Sequence, residues 1–174
     1  MTARARPPRR AAVKQRPADK QAADRGRRIQ LVEANDGRPA DGQRFEIRRE
    51  SDGAVVGSIE LSRIARGNFQ SAYLGYRTAP GARRQGYMTE ALQLALRHAF
   101  RTLRLHRVEA NIEPGNEPSI ALVRRAGFTR EGFSRRYLKH GGRWRDHERW
   151  ALLREDWRAP RVSRARSGSR ETGD

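Results

Sequence analysis

Between residues 43 and 157 the apolar positions change period several times, and each change marks an element. Period two runs through Arg44 to Arg49, Ala54 to Leu61 and Ser71 to Arg77, which predicts three strands; in the second, Val55, Ile59 and Leu61 share one face. Asp52-Gly53 lies between the first two, where a tight hairpin favours residues that accept positive φ. The third strand ends at Ala79-Pro80-Gly81. Spacings of three and four then take over at Met88, Ala91, Leu92, Ala95, Ala99 and Leu103, predicting a helix over roughly Tyr87 to Thr102. Val108, Ala110 and Ile112 alternate with Arg107, Glu109 and Asn111, a strand that can lie parallel to the third after a helical crossover. Asn116 caps a short helix with Ile120, Val123 and Ala126 inward, and Gly127 stops it. Phe128 to Leu138 and Trp144 to Leu153 read as an antiparallel pair joined through His140-Gly141-Gly142, with Trp144, Trp150 and Trp157 as packing residues. Strands alternating with helices make this a mixed α/β domain.

Composition limits how much of the chain belongs to that domain. An apolar fraction of 36% and a mean hydropathy of −0.96 are low for a chain of 174 residues packed around one core. We therefore divide it into a basic, largely disordered extension (1–42) with at most one helix, near Asp24 to Ala34; a folded domain (43–157); and a disordered basic tail (158–174). The net charge of +18 is concentrated in the ends. Residues 1–28 carry Arg4, Arg6, Arg9, Arg10, Lys14, Arg16, Lys20, Arg25, Arg27 and Arg28 against Asp19 and Asp24, and the tail carries Arg158, Arg161, Arg164, Arg166 and Arg170. Two readings fit: solvated arginine-rich ends, or a contact with RNA or the ribosome, since cationic segments draw polyanions. The lack of cysteine excludes disulfides, thiolate metal sites and cysteine nucleophiles, and fits a reducing cytoplasmic setting. No apolar run approaches the roughly 20 residues of a membrane span.

Candidate chemistry begins at the strand-turn-helix of residues 71–89. A helix start exposes unpaired N–H groups and a partial positive charge, which suits phosphate oxygens. There Gly86 permits close backbone approach, Thr89 offers a hydroxyl, Arg83 and Arg84 add charge, and Gln85, Tyr87 and Met88 complete the turn. A lone basic turn before a helix is a weak signal. Asn116-Glu117-Pro118-Ser119 strengthens it, because it opens the helix after the adjacent parallel strand and so faces the same crevice.

Together with Tyr73-Leu74-Gly75-Tyr76, Gln85-Gly86-Tyr87-Met88-Thr89-Glu90-Ala91, His106-Arg107-Val108-Glu109-Ala110-Asn111, Asn116-x-x-Ser119, Ala126-Gly127-Phe128 and Trp144-Arg145-Asp146-His147, the domain resembles the GNAT acetyltransferases. Within them it is similar to the RimJ-like enzymes that acetylate the N-terminal amine of a ribosomal protein. The resemblance implies a mostly antiparallel twisted sheet with a central parallel splay flanked by helices. It implies acetyl-CoA as co-substrate, no metal, and direct attack by a neutral amine on the thioester. The pantetheine arm would pair with backbone at Leu74, Gly75 and Tyr76, and the pyrophosphate would sit on the turn from Arg83 and Arg84 to Thr89. Backbone N–H groups near Leu74 to Tyr76 would polarise the carbonyl. Ser119 or Tyr137 would protonate the departing thiolate, and Asn116 would orient the coenzyme or a water. Tyr73 stands where many relatives carry a glutamate, so no base is assigned, and a water chain or Glu60 remains open. Asn116 and Ser119 are also ordinary capping residues, and Asp146-His147 is either a charged pair or a strand-end hydrogen-bond site.

The acceptor implied is a protein N-terminus. A small amine of the polyamine or aminoglycoside type, or a non-catalytic adaptor binding coenzyme, RNA or the ribosome, are the alternatives. In two places the chain departs from the family pattern: Arg84 replaces a second glycine, and where the family begins with a strand and two helices that help wall the acceptor site, residues 1–42 offer at most one helix and no first strand.

Overall fold

In the computed structural model residues 28–34 and 41–159 are described. Of the basic residues on which the readings of the arginine-rich ends rest, all but Arg28 and Arg158 lie outside the described residues.

Alternating apolar residues assemble one seven-stranded sheet in the order β1-β2-β3-β4-β5-β7-β6. The strands are β1 (Ile29–Glu33), β2 (Gln43–Arg49), β3 (Val55–Ala65), β4 (Ser71–Thr78), β5 (Arg107–Ile112), β6 (Thr129–His140) and β7 (Arg143–Leu153). Neighbours are antiparallel except β4 and β5. Helix α1 (Tyr87–Arg97) connects β4 to β5, and α2 (Glu117–Arg125) follows β5. Right-handed crossovers in the same direction along the sheet put both helices on one face. On that face Ile47, Ile59, Leu61, Leu74, Val108 and Ala110 form one core with Leu92 and Leu96 of α1 and Ile120 and Val123 of α2. Each large buried side chain there contributes roughly 1.5–3 kcal/mol. The other face carries Glu46, Glu60, Tyr73, Gly75, Glu109, Asn111 and Arg149 by register, and no helix covers it among the described residues.

Three expectations need correction. The segment expected to hold a helix near Asp24 to Ala34 contains β1, which hydrogen-bonds along β2 from Ile29↔Arg49 to Glu33↔Phe45. Ile29 is fully buried and Leu31 packs against the core, so burial decides the conformation where local helix preference is weak. The sheet thus begins ahead of residue 43, and the strand found missing from the sequence is present. In β3, Ile47 pairs with Gly57 but Arg48 with Val55, so one extra residue is accommodated in a bulge. That bulge turns Val55 outward (46% exposed) and Val56 inward. Trp144 is 61% exposed at the far end of the β6–β7 hairpin, whereas Trp150 and Trp157 are buried.

The remaining elements follow their sequence signals. The predicted long helix is α-helical to Arg97 and closes with a π-type turn over His98–Thr102, where Leu103 N–H donates to His98 O at 3.0 Å. Gly127 takes φ +94° beyond α2, and Gly141 and Gly142 take +57° and +78° in the last hairpin.

Candidate functional site

The site is built where sheet pairing fails. β4 and β5 pair in register at Ser71↔Arg107, Ala72↔Val108 and Tyr73↔Glu109 and then diverge. Beyond that point Leu74, Gly75 and Tyr76 pair only with β3, through Leu61, Glu60 and Ile59. One backbone edge is left to face a cavity of about 230 Å³ lined by Leu74, Gly75, Tyr76, Asn111, Asn116, Ser119 and His147 among others. An extended chain laid in the splay would find there the donors and acceptors a neighbouring strand normally supplies.

Helix α2 closes one wall. Asn116 Oδ1 accepts from Ser119 N–H at 3.3 Å, the N-cap bond expected from its sequence position. Tyr76 donates its hydroxyl to Ser119 O at 3.4 Å, tying β4 to the helix start. Burial pushes the Tyr76 phenol above its ordinary value, the bond to Ser119 opposing. The cap uses one lone pair of the Asn116 oxygen, so Asn116 offers a ligand its amide nitrogen and the remaining lone pair.

The basic turn lies at the start of α1, outside the residues that line this cavity. Gly86 is the N-cap at φ +81°, and its carbonyl accepts from Thr89 and Glu90 N–H at 3.1 and 3.2 Å. Gln85 Nε2 donates to Gly81 O at 2.8 Å, closing the turn on itself. Tyr87 and Met88, in the first turn, have no intrahelical acceptor. Arg84 adopts φ +60°, the left-handed region in which a glycine is unstrained and an L side chain carries backbone strain. Sequence reasoning missed Arg28. Its guanidinium donates to Gln85 O at 2.9 Å, its Nε lies 3.5 Å from Glu90 Oε2, and it stacks 5.3 Å from the Tyr87 ring centroid. It adds a third cation to the turn.

On the open face the splay is walled by side chains from four strands. The Tyr73 and Tyr137 hydroxyls lie near each other, and their interaction first, then burial, holds the Tyr73 phenol above its ordinary range. Tyr137 therefore lies at the mouth of the splay and outside the lining of the main cavity. A bulge delivers it: Ser134 pairs with His147 and Leu138 with Arg145, leaving extra residues in β6 with Arg136 at φ +47°. The Tyr137 ring meets the His147 ring edge-on at 6.1 Å. His147, 5% exposed, is the one buried polar or charged side chain among the described residues.

Asp146 and His147 do not pair. Asp146 Oδ1 accepts from Arg136 N–H at 2.7 Å and His147 Nδ1 donates to Arg145 O at 3.0 Å. Asn111 Oδ1 is buried without a hydrogen-bond partner. Glu60 lines a second cavity with Arg44, Ser58, Gly75, Tyr76 and Arg77, and its carboxylate lies against Gly75, where an added Cβ would fall 3.0 Å from Oε1. Glu113 at the rim is held below the usual carboxylate range, chiefly by its bond to His140. Among the described residues no group of three His, Asp or Glu side chains converges as a metal site would require.

Comparison with known proteins agrees with this architecture. The family model described as acetyltransferase (GNAT) domain matches residues 3–129. The chain is 39% identical over 112 residues to a probable N-acetyltransferase, YjcK, of Bacillus subtilis, covering 64% of this chain and 62% of the relative. It is 41% identical over 103 residues to the [ribosomal protein uS5]-alanine N-acetyltransferase of Escherichia coli, covering 59% and 53%. Among solved structures it is similar to Mycobacterium smegmatis RimJ in complex with CoA-disulfide, with a TM-score of 0.63 and 37% identity over 66% of this chain and 54% of that one. The chain thus spans between half and two thirds of the length of these relatives. With the family match extending over most of its residues and a seven-stranded sheet splayed between β4 and β5, the chain belongs to the GNAT acetyltransferase family.

Proposed function

We propose that this chain transfers the acetyl group of acetyl-CoA to a primary amine by direct attack, and that the amine is the N-terminal α-amine of a ribosomal protein. The observation carrying the reading is the divergence of β4 from β5 after Tyr73, which frees the backbone edge of Leu74, Gly75 and Tyr76 beside two helix starts. The residues fit the coenzyme. The free edge suits the amides of a pantetheine arm, and the turn from Arg83 to Thr89, with Arg28 above it, suits a pyrophosphate.

Acetyl-CoA supplies the activated thioester. Backbone N–H groups along Leu74 to Tyr76 stabilise charge developing on its carbonyl oxygen. Asn116 and Ser119 hold the coenzyme from the α2 side, and Tyr137, its hydroxyl at the mouth of the splay, donates the proton to the departing thiolate. The ribosomal acceptor is supported by the printed activity of the Escherichia coli relative, and the setting that goes with it is the cytoplasm.

The test has two stages. A ligand that binds only the folded state at 100 times its dissociation constant stabilises it by about 2.7 kcal/mol, so acetyl-CoA should raise Tm measurably. Free thiol release is then followed with an alanine-initiated peptide, with spermidine and with an aminoglycoside. Preference for the peptide supports the reading, and preference for either small amine reassigns the acceptor. Absence of any thermal shift at millimolar acetyl-CoA overturns it, and salt-sensitive RNA binding would then favour the adaptor.

A further inference from the structure

We infer that His147 is the base that takes the proton from the attacking amine, and that Asn111 Oδ1 docks another N–H of the same amine. This rests on the acetyl-transfer reading above and goes beyond it, because neither Glu60 nor any residue of β4 then needs to serve as base.

The hydrogen bonding of His147 fixes its tautomer. A carbonyl oxygen can only accept, so the 3.0 Å contact with Arg145 O requires a proton on Nδ1. The neutral ring then carries its lone pair on Nε2, and no hydrogen bond among the described residues engages that atom. His147 is nevertheless 5% exposed and lines the cavity in the splay. A buried imidazole that lines a cavity, with one nitrogen anchored to backbone and the other without a hydrogen bond among the described residues, suits an oriented proton acceptor.

Asn111 supplies the second, independent observation. Register pairs Asn111 with Arg149 and Ile112 with Glu148, so His147 sits diagonally across from Asn111 on the same face of the sheet. Both line the cavity beside Gly75. The Asn111 oxygen is buried and unpaired among the described residues, a state costly enough that native structures generally fill it. An amine presents a lone pair for attack and N–H groups for acceptors. Here both acceptors belong to residues that line one cavity together with the freed edge of β4.

The charged and titratable groups around His147 come from every element packed on it. They are Glu113 beyond the end of β5, Tyr137 and His140 of β6, Tyr73 of β4 beside Tyr137, and Arg145 and Arg149 of its own strand.

The step balances without any further reactant. The amine lone pair forms the N–C bond, and the C–S bond breaks with its pair on sulfur. One amine proton passes to His147 Nε2, the thiolate receives a proton from Tyr137, and both side chains are reset by exchange with water.

The experiment uses the full chain with the acceptor, alanine-initiated peptide or spermidine, that releases thiol fastest. In His147→Gln and His147→Ala, kcat should fall about 100-fold, the scale of a lost general base, while acetyl-CoA affinity stays within threefold of wild type. Added imidazole should restore at least tenfold of the loss in His147→Ala and none in His147→Gln, whose side chain still fills the site. The fall of kcat toward acid pH should disappear in both variants. Asn111→Leu should raise the KM of the amine at least tenfold with acetyl-CoA affinity unchanged; loss of coenzyme affinity instead would assign Asn111 to a pantetheine amide. A kcat within threefold of wild type in His147→Gln, or no imidazole rescue in a coenzyme-binding His147→Ala, overturns the base assignment. Failure of the wild-type chain to bind acetyl-CoA overturns the underlying reading instead, and the two failures are told apart by the binding measurement alone.

Discussion

Gly86 is the residue at which the coenzyme reading is most exposed to refutation. It caps α1 at φ +81°, where an L side chain costs roughly 1–2 kcal/mol. A Cβ built there falls 2.9 Å from Arg28 Nη2, the flexible tip of a side chain that is 56% exposed, so the arginine can move aside at little cost. Gly86→Ala therefore bears the backbone strain alone. At about 2–4 °C per kcal/mol for a chain of this size, its Tm should drop by roughly 2–8 °C. Gly86→Glu adds a carboxylate at the place proposed for the pyrophosphate. At 4 Å and an effective dielectric near 20, one such charge pair repels by about 4 kcal/mol. Solvent at this open turn, together with Arg28, removes about half of that, leaving roughly a 30-fold loss of affinity. Calorimetric titration with CoA of wild type, Gly86→Ala and Gly86→Glu, alongside their melting curves, separates strain from charge. If Gly86→Glu binds CoA as tightly as Gly86→Ala, the phosphate cradle is not at this turn.

Other residues give independent checks. A Cβ at Gly57 would lie 2.5 Å from the Arg77 carbonyl oxygen, backbone on a paired strand that cannot retreat, so Gly57→Ala should cost about 1–3 kcal/mol in urea unfolding; a cost below the error of the measurement would mean that β3 and β4 are not in this register. His98 donates from Nε2 to Gln43 Oε1 at 2.8 Å and packs edge-on against Phe45 at 5.3 Å, and burial holds its pKa below the ordinary imidazole value, Glu33 opposing. A depressed folded pKa contributes stability that is present above the unfolded value of about 6.5 and lost as pH falls through the folded one. Wild-type Tm should therefore decline as pH drops below about 6.5, and the decline should be shallower in His98→Gln. Tyr137→Phe removes the hydroxyl beside Tyr73 and should lower kcat by about 100-fold with coenzyme affinity unchanged; an unaltered kcat would return the acid role to Ser119.

The parts of the fold that could be read from the sequence are those whose signal is local and repeated. Six strands and both helices follow from period two or from spacings of three and four, and Asn116, Gly127 and Gly141-Gly142 punctuate them as their backbone requires. β1 escaped because five residues, with Ile29 and Leu31 its inward apolar positions, give too short a pattern between charged neighbours. Its conformation is imposed by the edge of β2. Bulges escaped for a related reason. The extra residue at Val55 and Val56 exchanges which valine is buried, and nothing in Val-Val says which. Arg84 is the opposite case: its departure from a family glycine marks the position where the structure shows φ +60°.

The site divides along the same line. Its proposed coenzyme half is made of contiguous stretches, one freed strand edge and two helix starts, each of which carries a signature within a few residues. Its proposed acceptor half is made of single residues on β4, β5, β6 and β7, each occupying a polar position that a strand facing solvent would also fill. Asn111 reads as an outward residue until β7 is laid beside β5 and its oxygen is found unpaired. Asp146-His147 reads as either a charged pair or a strand-end hydrogen-bond site until the bulge in β6 brings the Arg136 amide to Asp146 and sets Tyr137 edge-on against the imidazole. Because this half is held together by register alone, substitutions that slip β6 against β7 should impair amine turnover before they impair coenzyme binding. Closing the bulge by deleting Arg135 and Arg136 is the sharpest such change. It withdraws Tyr137 from His147 and Tyr73 while leaving Leu74 to Tyr76, Asn116 and the Gly86 turn untouched, so equal loss of coenzyme affinity and turnover would refute the division.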